Sequence, residues 1–431
     1  MLRAQEASRR HRRRPLRDAG YRAALDRVAV GAGQGEEAGE LVEPRVRHAP
    51  SARRPDPHAG VHVRLVGWRA RAGTLAACVV LVAGACSDGS SEQAAKPKKP
   101  TPTSTTTTTI PVPVAPFTNL PDTDGVANGR ASLAVKIENS PDARPQSGLD
   151  VADIVYEEVV EGGITRFWAV FNSRAPESVG PVRSVRAMDP GIISPLGGVI
   201  AYSGGTGPNV ALVRATGLVY VDEGNAADSL YREGSRSAPH NLYGRTASLW
   251  ARGGTPVPPR PMFQYVDEGE SFTGVPIIAF TVGFQPGYDV TYVWNEARAG
   301  WLRYQPANAR FDAIGSTPIP NQVAPQNVIV QFIDYPRGSE GDVMGSGAAW
   351  VFSNGQYVQG TWTKLYQGAP TSFSDANGEP IALTPGQTWV ELFPTGGPVG
   401  VLAPPPTTTS TQPEKNQDDD KKKQKNQQDD D

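Results

Sequence analysis

The stretch that decides the fold is Ile154-Val-Tyr-Glu-Glu-Val-Val160, Gly162-Gly163 and Ile164-Thr-Arg-Phe-Trp-Ala-Val-Phe171. Both flanking runs are rich in β-branched and aromatic residues, which favour strands. The glycine pair between them can adopt the positive φ angles that a tight turn requires. The stretch therefore predicts a β-hairpin.

The charged residues of this hairpin form a candidate site. A two-residue turn at Gly162-Gly163 would place Val159 opposite Arg166. Glu157 and Glu161 would then lie diagonally on either side of Arg166, on one face of the hairpin. This arrangement can orient the guanidinium toward an anion, and it equally fits an ordinary cross-strand ion pair on a solvated face.

The segments flanking the hairpin predict a mixture of strands and helices. Upstream, Leu133, Val135 and Ile137 alternate with other residues, as they do in a strand. Downstream, Gly198-Val-Ile-Ala-Tyr-Ser203 leads through glycines into a predicted short helix over 208–215. The pattern indicates an α/β (α+β) N-terminal half.

Strand signals predominate from about residue 275 onward. The strongest of them is Asn354-Gly355, because this dipeptide favours the two-residue turn of a hairpin. The sequence thus predicts that a mainly β C-terminal half follows the α/β half.

A membrane address precedes the folded body. The apolar run Leu75-Ala-Ala-Cys-Val-Val-Leu-Val-Ala-Gly-Ala-Cys86 follows several arginines and ends at a cysteine behind small residues. This order is typical of a bacterial lipoprotein signal, with Cys86 as the lipidated residue. The run is too short for a stable span of a hydrocarbon core of about 30 Å, which disfavours a permanent transmembrane helix. A buried core helix that ends in cysteine is the other alternative.

Composition shifts predict the remaining boundaries. Translation is expected to begin near Val61 or Val63, since a signal peptide normally starts close to its basic region. The predicted segments are a non-native or disordered Arg-rich leader (1–60), a lipoprotein signal peptide (61–85), a Thr/Pro-rich spacer (86–117), an α/β domain (118–268), a mainly β domain (269–402) and a disordered charged tail (403–431).

Charge and residue usage narrow the function classes. The segment through Arg71 holds sixteen of the 42 Lys+Arg and eight of the 44 Asp+Glu, so the rest of the chain is acidic. Bulk charge therefore disfavours nucleic acid as a partner. After the predicted cleavage, Cys86 would carry lipid, which leaves no free thiol for a disulfide or a Cys/His zinc site. No cofactor and no metal are predicted.

Four further residues complete the candidate site. Arg183 and Arg186 are three residues apart, and their guanidinium groups suit carboxylate or phosphate, although arginines also neutralise neighbouring carboxylates. His240 is the one histidine after the signal; it could carry protons or fix its loop by hydrogen bonds. With Asn241, it is predicted to lie at the rim of a pocket formed by Arg166, Arg183, Arg186 and Glu157.

The motifs together resemble a bacterial family. The residues that carry the resemblance are Val135-Lys-Ile-Glu-Asn139, Ala143-Arg-Pro-Gln-Ser-Gly148, Ala152-Asp-Ile-Val-Tyr-Glu157, Glu161-Gly-Gly-Ile-Thr-Arg-Phe167, Gly180-Pro-Val-Arg-Ser-Val-Arg186, Ala238-Pro-His-Asn-Leu-Tyr243, Gly345-Ser-Gly-Ala-Ala-Trp350, Gly360-Thr-Trp362 and Gly386-Gln-Thr-Trp389. They are similar to the YerB-like lipoproteins, a family defined by a two-part domain of unknown function. The resemblance implies an extracytoplasmic protein anchored by lipid, and it supplies no catalytic residue.

Three functional hypotheses follow. The first is a lipoprotein on the extracytoplasmic face of the cell membrane that binds an anionic envelope component or a protein partner. The alternative is an envelope hydrolase or transferase with Glu157, Glu161 or His240 as the acid/base. The third is a structural spacer, which predicts no pocket.

Overall fold

In a computed structural model, the structure describes residues 112–253, 257–285, 289–307, 310–313 and 322–405. Of residues 306, 307 and 310–313 only the backbone is described. The predicted leader, the signal peptide and Cys86 lie outside these ranges, as do most of the spacer and of the charged tail.

Among the regular elements of the N-terminal half, strands outnumber helices. The three helices of its described residues are short: α1 (Asp189–Ile193), α2 (Gly207–Arg214) and α3 (Thr246–Trp250). Its strands are β1 (Leu133–Glu138), β2 (Ile154–Val159), β3 (Thr165–Phe171), β4 (Ser178–Val179), β5 (Val199–Ala201), β6 (Val219–Val221), β7 (Leu230–Arg232) and β8 (Leu242–Arg245). Short 3-10 turns occur at Pro141–Ala143 and Glu161–Gly163.

The C-terminal half is mainly β, as predicted. Within its described residues the helical structure is one 3-10 turn, Glu296–Arg298. Its strands are β9 (Val275–Pro276), β10 (Ala279–Gly283), β11 (Asp289–Asn295), β12 (Gly300–Ala307), β13 (Arg310–Ala313), β14 (Asn327–Ile333), β15 (Gly345–Ser353), β16 (Gln356–Lys364), β17 (Ser372–Ser374), β18 (Thr388–Pro394) and β19 (Val399–Leu402).

Strands from both halves form one large sheet. The eleven-stranded sheet has the order β17-β16-β15-β14-β18-β2-β3-β1-β5-β6, and β9 pairs with β16. The halves meet where β18 pairs in parallel with β2. A five-stranded sheet has the order β13-β12-β11-β10-β19, and a three-stranded sheet the order β4-β8-β7.

Strand direction gives the large sheet a defined end. β14, β18 and β2 run parallel, and so do β1, β5 and β6. Because β3 is antiparallel to both β1 and β2, the two groups run in the same direction. The carboxyl ends of these six strands therefore line one end of the sheet, which we call the carboxyl edge. In open sheets with parallel strands, ligands commonly bind at such an edge.

Apolar side chains cover both faces of the large sheet. On one face, residues such as Val135 and Phe167 pack against Phe280 and Trp301 of the five-stranded sheet and against the three-stranded sheet. On the other face, Trp168 and its neighbours pack against α1 and α2. Helical structure is thus confined to a few short elements, so the predicted α/β character of this half holds only locally, in the parallel strands β5 and β6 joined by α2.

Two local predictions are confirmed. Asn354 and Gly355 form the turn between β15 and β16, with φ angles of 48° and 69°. The helix predicted over 208–215 is α2, and the Thr206 side chain accepts a hydrogen bond from the Asn209 amide at its start.

The predicted register of the β2–β3 hairpin is wrong by one residue. The connection is a 3-10 turn over Glu161–Gly163, closed by a hydrogen bond from the Val160 amide to the Ile164 carbonyl. Glu158, and not Val159, therefore lies opposite Arg166. Since neighbouring residues of a strand point to opposite faces, this shift places Glu157 on the face opposite Arg166.

Candidate functional site

A row of charged residues lies near the carboxyl edge, on the face that packs against the helices. Arg166 of β3 is paired with Glu138 of β1 on one side and with Glu158 of β2 on the other. Lys136 lies two residues before Glu138 and therefore shares its face. All four side chains are buried.

Lys136 belongs to a fully buried cluster with two carboxyl groups. Its ammonium contacts Glu158 Oε1 and donates to Asp189 Oδ1 at 2.8 Å. The Trp168 indole also donates to Asp189 Oδ1, at 2.7 Å. Burial and the adjacent Asp189 carboxylate raise the pKa of Glu158 to about 8, and Lys136 offsets part of this rise. Glu158 is therefore mostly protonated at neutral pH.

Asp189 is the ionised member of that cluster. Burial alone would raise its pKa, but the Lys136 charge and hydrogen bonds with Glu158, Lys136 and Trp168 lower it below the ordinary value. The charges of Lys136 and Asp189 thus balance each other.

Arg166 is a buried cation without an ion pair. Arg166 is only 8% exposed. Its Nη1 donates a hydrogen bond to the Ser184 carbonyl at 2.9 Å. No carboxylate of the described residues forms a salt bridge with it, and its buried Nε has no hydrogen-bond partner. Burial and the charge of Arg186 lower its pKa to about 10, so it is still charged at neutral pH.

The segment that carries the other two arginines is attached to β1. The Glu138 amide donates to the Pro181 carbonyl, and the Arg183 amide donates to the Lys136 carbonyl, both at 2.9 Å. Arg183 Nη2 then donates to Glu138 Oε1 at 2.9 Å, and its Nε lies 2.8 Å from Glu138 Oε2. Arg183 is therefore paired with a buried carboxylate.

Glu138 also contacts the one histidine of the described residues. His240 Nδ1 lies 3.0 Å from Glu138 Oε2, and Ser140 Oγ donates to Oε1 at 2.7 Å. Burial opposes ionisation of Glu138, but the hydrogen bonds from Arg183 and Ser140 outweigh it and hold the pKa below the ordinary value. The structure thus brings Arg183 and His240 together through Glu138.

Arg186 and Glu161 form a pair at the surface. Arg186 Nε donates to Glu161 Oε2 at 2.9 Å, and the Glu161 side chain is 62% exposed. The backbone amide of Arg186 donates to Asp189 Oδ2 at 2.6 Å, which connects this pair to the buried cluster.

Asn241 lies beside His240, but its hydrogen bonds are to its own loop. Its Oδ1 accepts from Arg232 at 2.9 Å, and its side-chain amide donates to the Arg236 carbonyl at 3.2 Å. The His240 amide likewise donates to the Ser237 carbonyl.

Glu157 lies in a second buried network, on the opposite face of the sheet. The prediction that it shares a pocket with the three arginines is therefore wrong, because the register of the β2–β3 hairpin differs by one residue from the predicted one. It forms a salt bridge with Arg303 of β12. The Thr165 hydroxyl and the Trp389 indole donate to it at 2.5 and 3.3 Å. Tyr292 donates to Glu391 Oε1 at 2.6 Å and accepts from Arg303 Nε at 3.0 Å.

Several residues that build these two networks are not among the predicted site residues. They are Lys136, Glu138, Glu158, Asp189, Arg303 and Glu391. A signal existed for the first two, since Lys136 and Glu138 alternate with Val135 and Ile137 inside a predicted strand, where charged residues are uncommon. Arg303 gave no such signal, because its place opposite Glu157 depends on how two sheets pack.

Two clefts of the described residues lie away from these networks. A cleft of about 430 Å³ is lined in part by Arg130 and Trp250, and one of about 280 Å³ in part by Met262 and Phe373. Neither contains a predicted site residue. Over the described ranges, no His, Cys, Asp and Glu side chains form a metal-holding group of three or more. No helix in that part of the chain is both long and apolar enough to cross a membrane.

The fold and the site define a two-part protein whose halves share one sheet, with a charged site at the carboxyl edge. Family models match both parts: the N-terminal domain of a protein of unknown function (DUF3048) at residues 117–255, and its C-terminal domain at 280–390. The chain belongs to this YerB-like family.

One curated relative and one solved structure support the assignment. The relative, named "Putative lipoprotein YerB", is from Bacillus subtilis (strain 168) and is 26% identical over 309 residues, which is 65% of this chain and 86% of the relative. The crystal structure of the YerB protein from Bacillus subtilis has a similar fold, with a TM-score of 0.57 and 23% identity. The match covers 67% of this chain and 99% of the crystallised one.

Proposed function

We propose that this protein is a lipoprotein anchored outside the cell membrane through Cys86, and that the carboxyl edge of its large sheet binds an anionic group of the cell envelope. The apolar run that ends in small residues and Cys86 supports the anchor, as does the name of the Bacillus subtilis relative. Mass spectrometry of the native protein should find a diacylglyceryl group on Cys86. An unmodified Cys86 with the preceding residues still attached would contradict the anchor.

The unpaired charge of Arg166 is the observation that supports binding of an anion. A buried charge without a partner costs several kcal/mol, unless an opposite charge joins it. Around it, Arg183 is paired with Glu138, Arg186 with Glu161, and Lys136 with Asp189. The nearby Glu158 is mostly protonated, so it does not supply the missing negative charge.

The chemistry of the donors indicates the class of ligand. Arg166 offers a free Nε, and Arg183 and Arg186 are on the same segment as the Ser184 carbonyl that Arg166 contacts. Guanidinium groups bind carboxylate and phosphate oxygens through paired hydrogen bonds. The ligand therefore carries a carboxylate or a phosphate.

Titration calorimetry with inorganic phosphate, glycerol 3-phosphate and N-acetylmuramic acid tests this proposal. Loss of a charged hydrogen bond costs about 1.5–3 kcal/mol, so Arg166→Gln should weaken binding roughly tenfold or more. The melting temperature of Arg166→Gln should change little, because the loss of the hydrogen bond to the Ser184 carbonyl is offset by removal of a buried charge that has no carboxylate partner.

Arg337→Gln is the matched control. Arg337 is an exposed arginine paired with Glu340, and its replacement changes the net charge by the same amount. It should leave binding unchanged. Equal weakening by both variants would indicate bulk charge, and failure of the parent protein to bind any of the three anions would contradict the proposal.

No second function is proposed for the carboxyl groups of the site. Glu157 is fully buried and held by Arg303, and Glu161 is exposed but paired with Arg186. The Glu157 carboxyl group has no access to solvent, and the Glu161 carboxylate is already bound by Arg186, so neither is free to act as a general acid or base on a substrate.

A further inference from the structure

The loop after β16 exposes two apolar side chains. Leu365 is 82% exposed and is the most exposed large hydrophobic residue of the described chain; Tyr366, next to it, is 60% exposed. Single apolar residues on a surface are common. Two adjacent ones need a reason if the loop that carries them is held in place.

Four contacts hold this loop in place. The Lys364 ammonium, which is buried, donates to the Ala369 carbonyl, and the Ala369 amide donates to the Tyr366 carbonyl at 2.8 Å. Gln367 donates to Ser194 Oγ at the end of α1, at 2.9 Å. Arg260 donates to the Gly368 carbonyl. The loop is thus bound to its own strand, to Ser194 after α1 and to Arg260. The side chains of Leu365 and Tyr366 remain exposed to solvent.

The loop lies at the same carboxyl edge as the arginine site. β16 ends at Lys364, which pairs with Gly345 at the start of β15. β15 is antiparallel to β14, whose carboxyl end lies on that edge. Four strand steps separate β16 from β2, which corresponds to roughly 19 Å at the usual strand spacing.

We propose that Leu365 and Tyr366 insert into the surface of the lipid bilayer and orient the carboxyl edge toward the membrane. Leu suits the hydrocarbon, and Tyr suits the interface, where its ring is buried and its hydroxyl remains hydrated. The exposed Arg260 is attached to the same loop and can bind a lipid phosphate. The loop therefore offers a Leu and a Tyr to the bilayer and one Arg to a lipid phosphate.

The contact is weak by itself, because burying one Leu side chain contributes only about 1.5–3 kcal/mol. It becomes effective if Cys86 already holds the chain at the membrane, as proposed above, since tethering raises the local concentration of the second contact. The proposal rests on that anchor and does not require the anion site.

A fluorescent probe on the lipidated full chain tests the contact. Cys78 lies in the predicted signal peptide and the thiol of Cys86 carries the lipid, so Leu365→Cys introduces the one free thiol of the mature protein. An environment-sensitive NBD label is attached at this position. When vesicles of phosphatidylglycerol and phosphatidylcholine are added, its emission should shift to shorter wavelength and brighten severalfold relative to the same protein without vesicles.

Val275→Cys is the matched control. Val275 is a similarly exposed apolar residue, 56% exposed, and it pairs with Tyr357 at the other end of β16. Its NBD label should not respond to vesicles. Replacing Tyr366 by Ser should reduce the response at position 365, and Arg260→Gln should reduce it on phosphatidylglycerol vesicles more than on phosphatidylcholine alone.

Flotation of the chain with vesicles distinguishes failure of the lipid anchor from failure of the loop contact. If the chain does not float with vesicles and Cys86 is unmodified, the anchor itself fails. If the lipidated chain floats but the label at position 365 responds no more than the label at position 275, the membrane contact of this loop is overturned while the anchor stands.

Discussion

Glu157 and Glu158 are neighbours in β2, yet they belong to separate buried networks on opposite faces of the sheet. Each network contains one cation and two carboxyl groups: Lys136 with Glu158 and Asp189, and Arg303 with Glu157 and Glu391. In each, burial raises the pKa of one carboxyl, that of Glu158 or Glu391. A raised pKa favours the neutral acid, which lessens the excess of negative charge when two carboxyl groups are buried with one cation.

Glu158 makes the stability of the fold depend on pH. Its pKa rises from the ordinary 4.5 to about 8 on folding, chiefly because the group is buried. Between these values the folded state keeps a proton that the unfolded state has released. The contribution of Glu158 to stability is thus complete below about pH 4.5 and is lost as the pH rises to about 8.

Glu158→Gln should remove this dependence, because Gln resembles the protonated acid and does not titrate. Each unit of pKa difference corresponds to about 1.4 kcal/mol. Urea denaturation between about pH 5 and pH 8 should therefore give a flatter profile for the variant than for the parent protein. Glu340→Gln, at a partly exposed ion pair, should leave the slope unchanged. Parallel profiles for Glu158→Gln and the parent would show that Glu158 is ionised in the folded state.

Arg303 should be essential to the second network. Arg303→Met leaves the Glu157 carboxylate buried without its partner, and breaking such a pair costs about 3–5 kcal/mol. Adding Glu157→Gln should restore part of the loss, because the orphaned charge is then removed. A double-mutant cycle by chemical denaturation measures this coupling. Additive effects of the two substitutions would mean that the salt bridge contributes no coupling energy.

The sequence identified the charged residues of the site better than their arrangement. Arg183 and His240 both contact the Glu138 carboxylate. Glu138 itself is not among the predicted site residues. The prediction that Glu157 lies with the arginines depends on a two-residue turn at Gly162-Gly163. A residue type can be recognised in the sequence, whereas the face on which it lies depends on a register that one residue can invert.

At the level of elements, turn chemistry explains why the turn length of one predicted hairpin is correct and that of the other is not. Asn354 and Gly355 both have left-handed φ angles, as the two-residue turn requires. Gly162 and Gly163 are also left-handed, with φ of 72° and 70°, but Glu161 joins them in a longer turn. Glycine pairs permit several turn lengths, so their sequence alone does not fix the register.

Gly355→Ala should destabilise the β15–β16 hairpin. A left-handed φ costs a non-glycine residue about 1–2 kcal/mol, and the added Cβ would lie 3.1 Å from the Trp294 ring. Thermal unfolding should show a loss larger than that of Gly378→Ala, the matched control. Gly378 has φ of 85° but open space around its Cβ position, so its replacement reports the backbone cost alone. Equal losses would mean that Trp294 moves aside freely.

At the scale of the whole molecule, the family boundary does not coincide with a gap in the sheet. β18 pairs with β2 over five residue pairs, from Thr388 opposite Ile154 to Leu392 opposite Glu158. Gln387 adds hydrogen bonds to the Leu149 and Ala152 carbonyls at 2.9 and 2.6 Å. The sequence shows two matched parts and a change of pattern between them, but a parallel pairing between distant strands leaves no local signal.

The two halves should therefore unfold together. Both apolar clusters contain residues from each half, so neither half completes its core alone. Calorimetry of the folded body should show one transition, with equal calorimetric and van't Hoff enthalpies. Fragments 112–268 and 269–405 should each lack a cooperative transition when expressed separately, because β2 loses β18 and Glu157 loses Arg303. Mixing the fragments should restore the transition in part. Two resolved transitions in the intact chain, or a native-like melting curve for either fragment, would show instead that the halves are independent domains that merely touch.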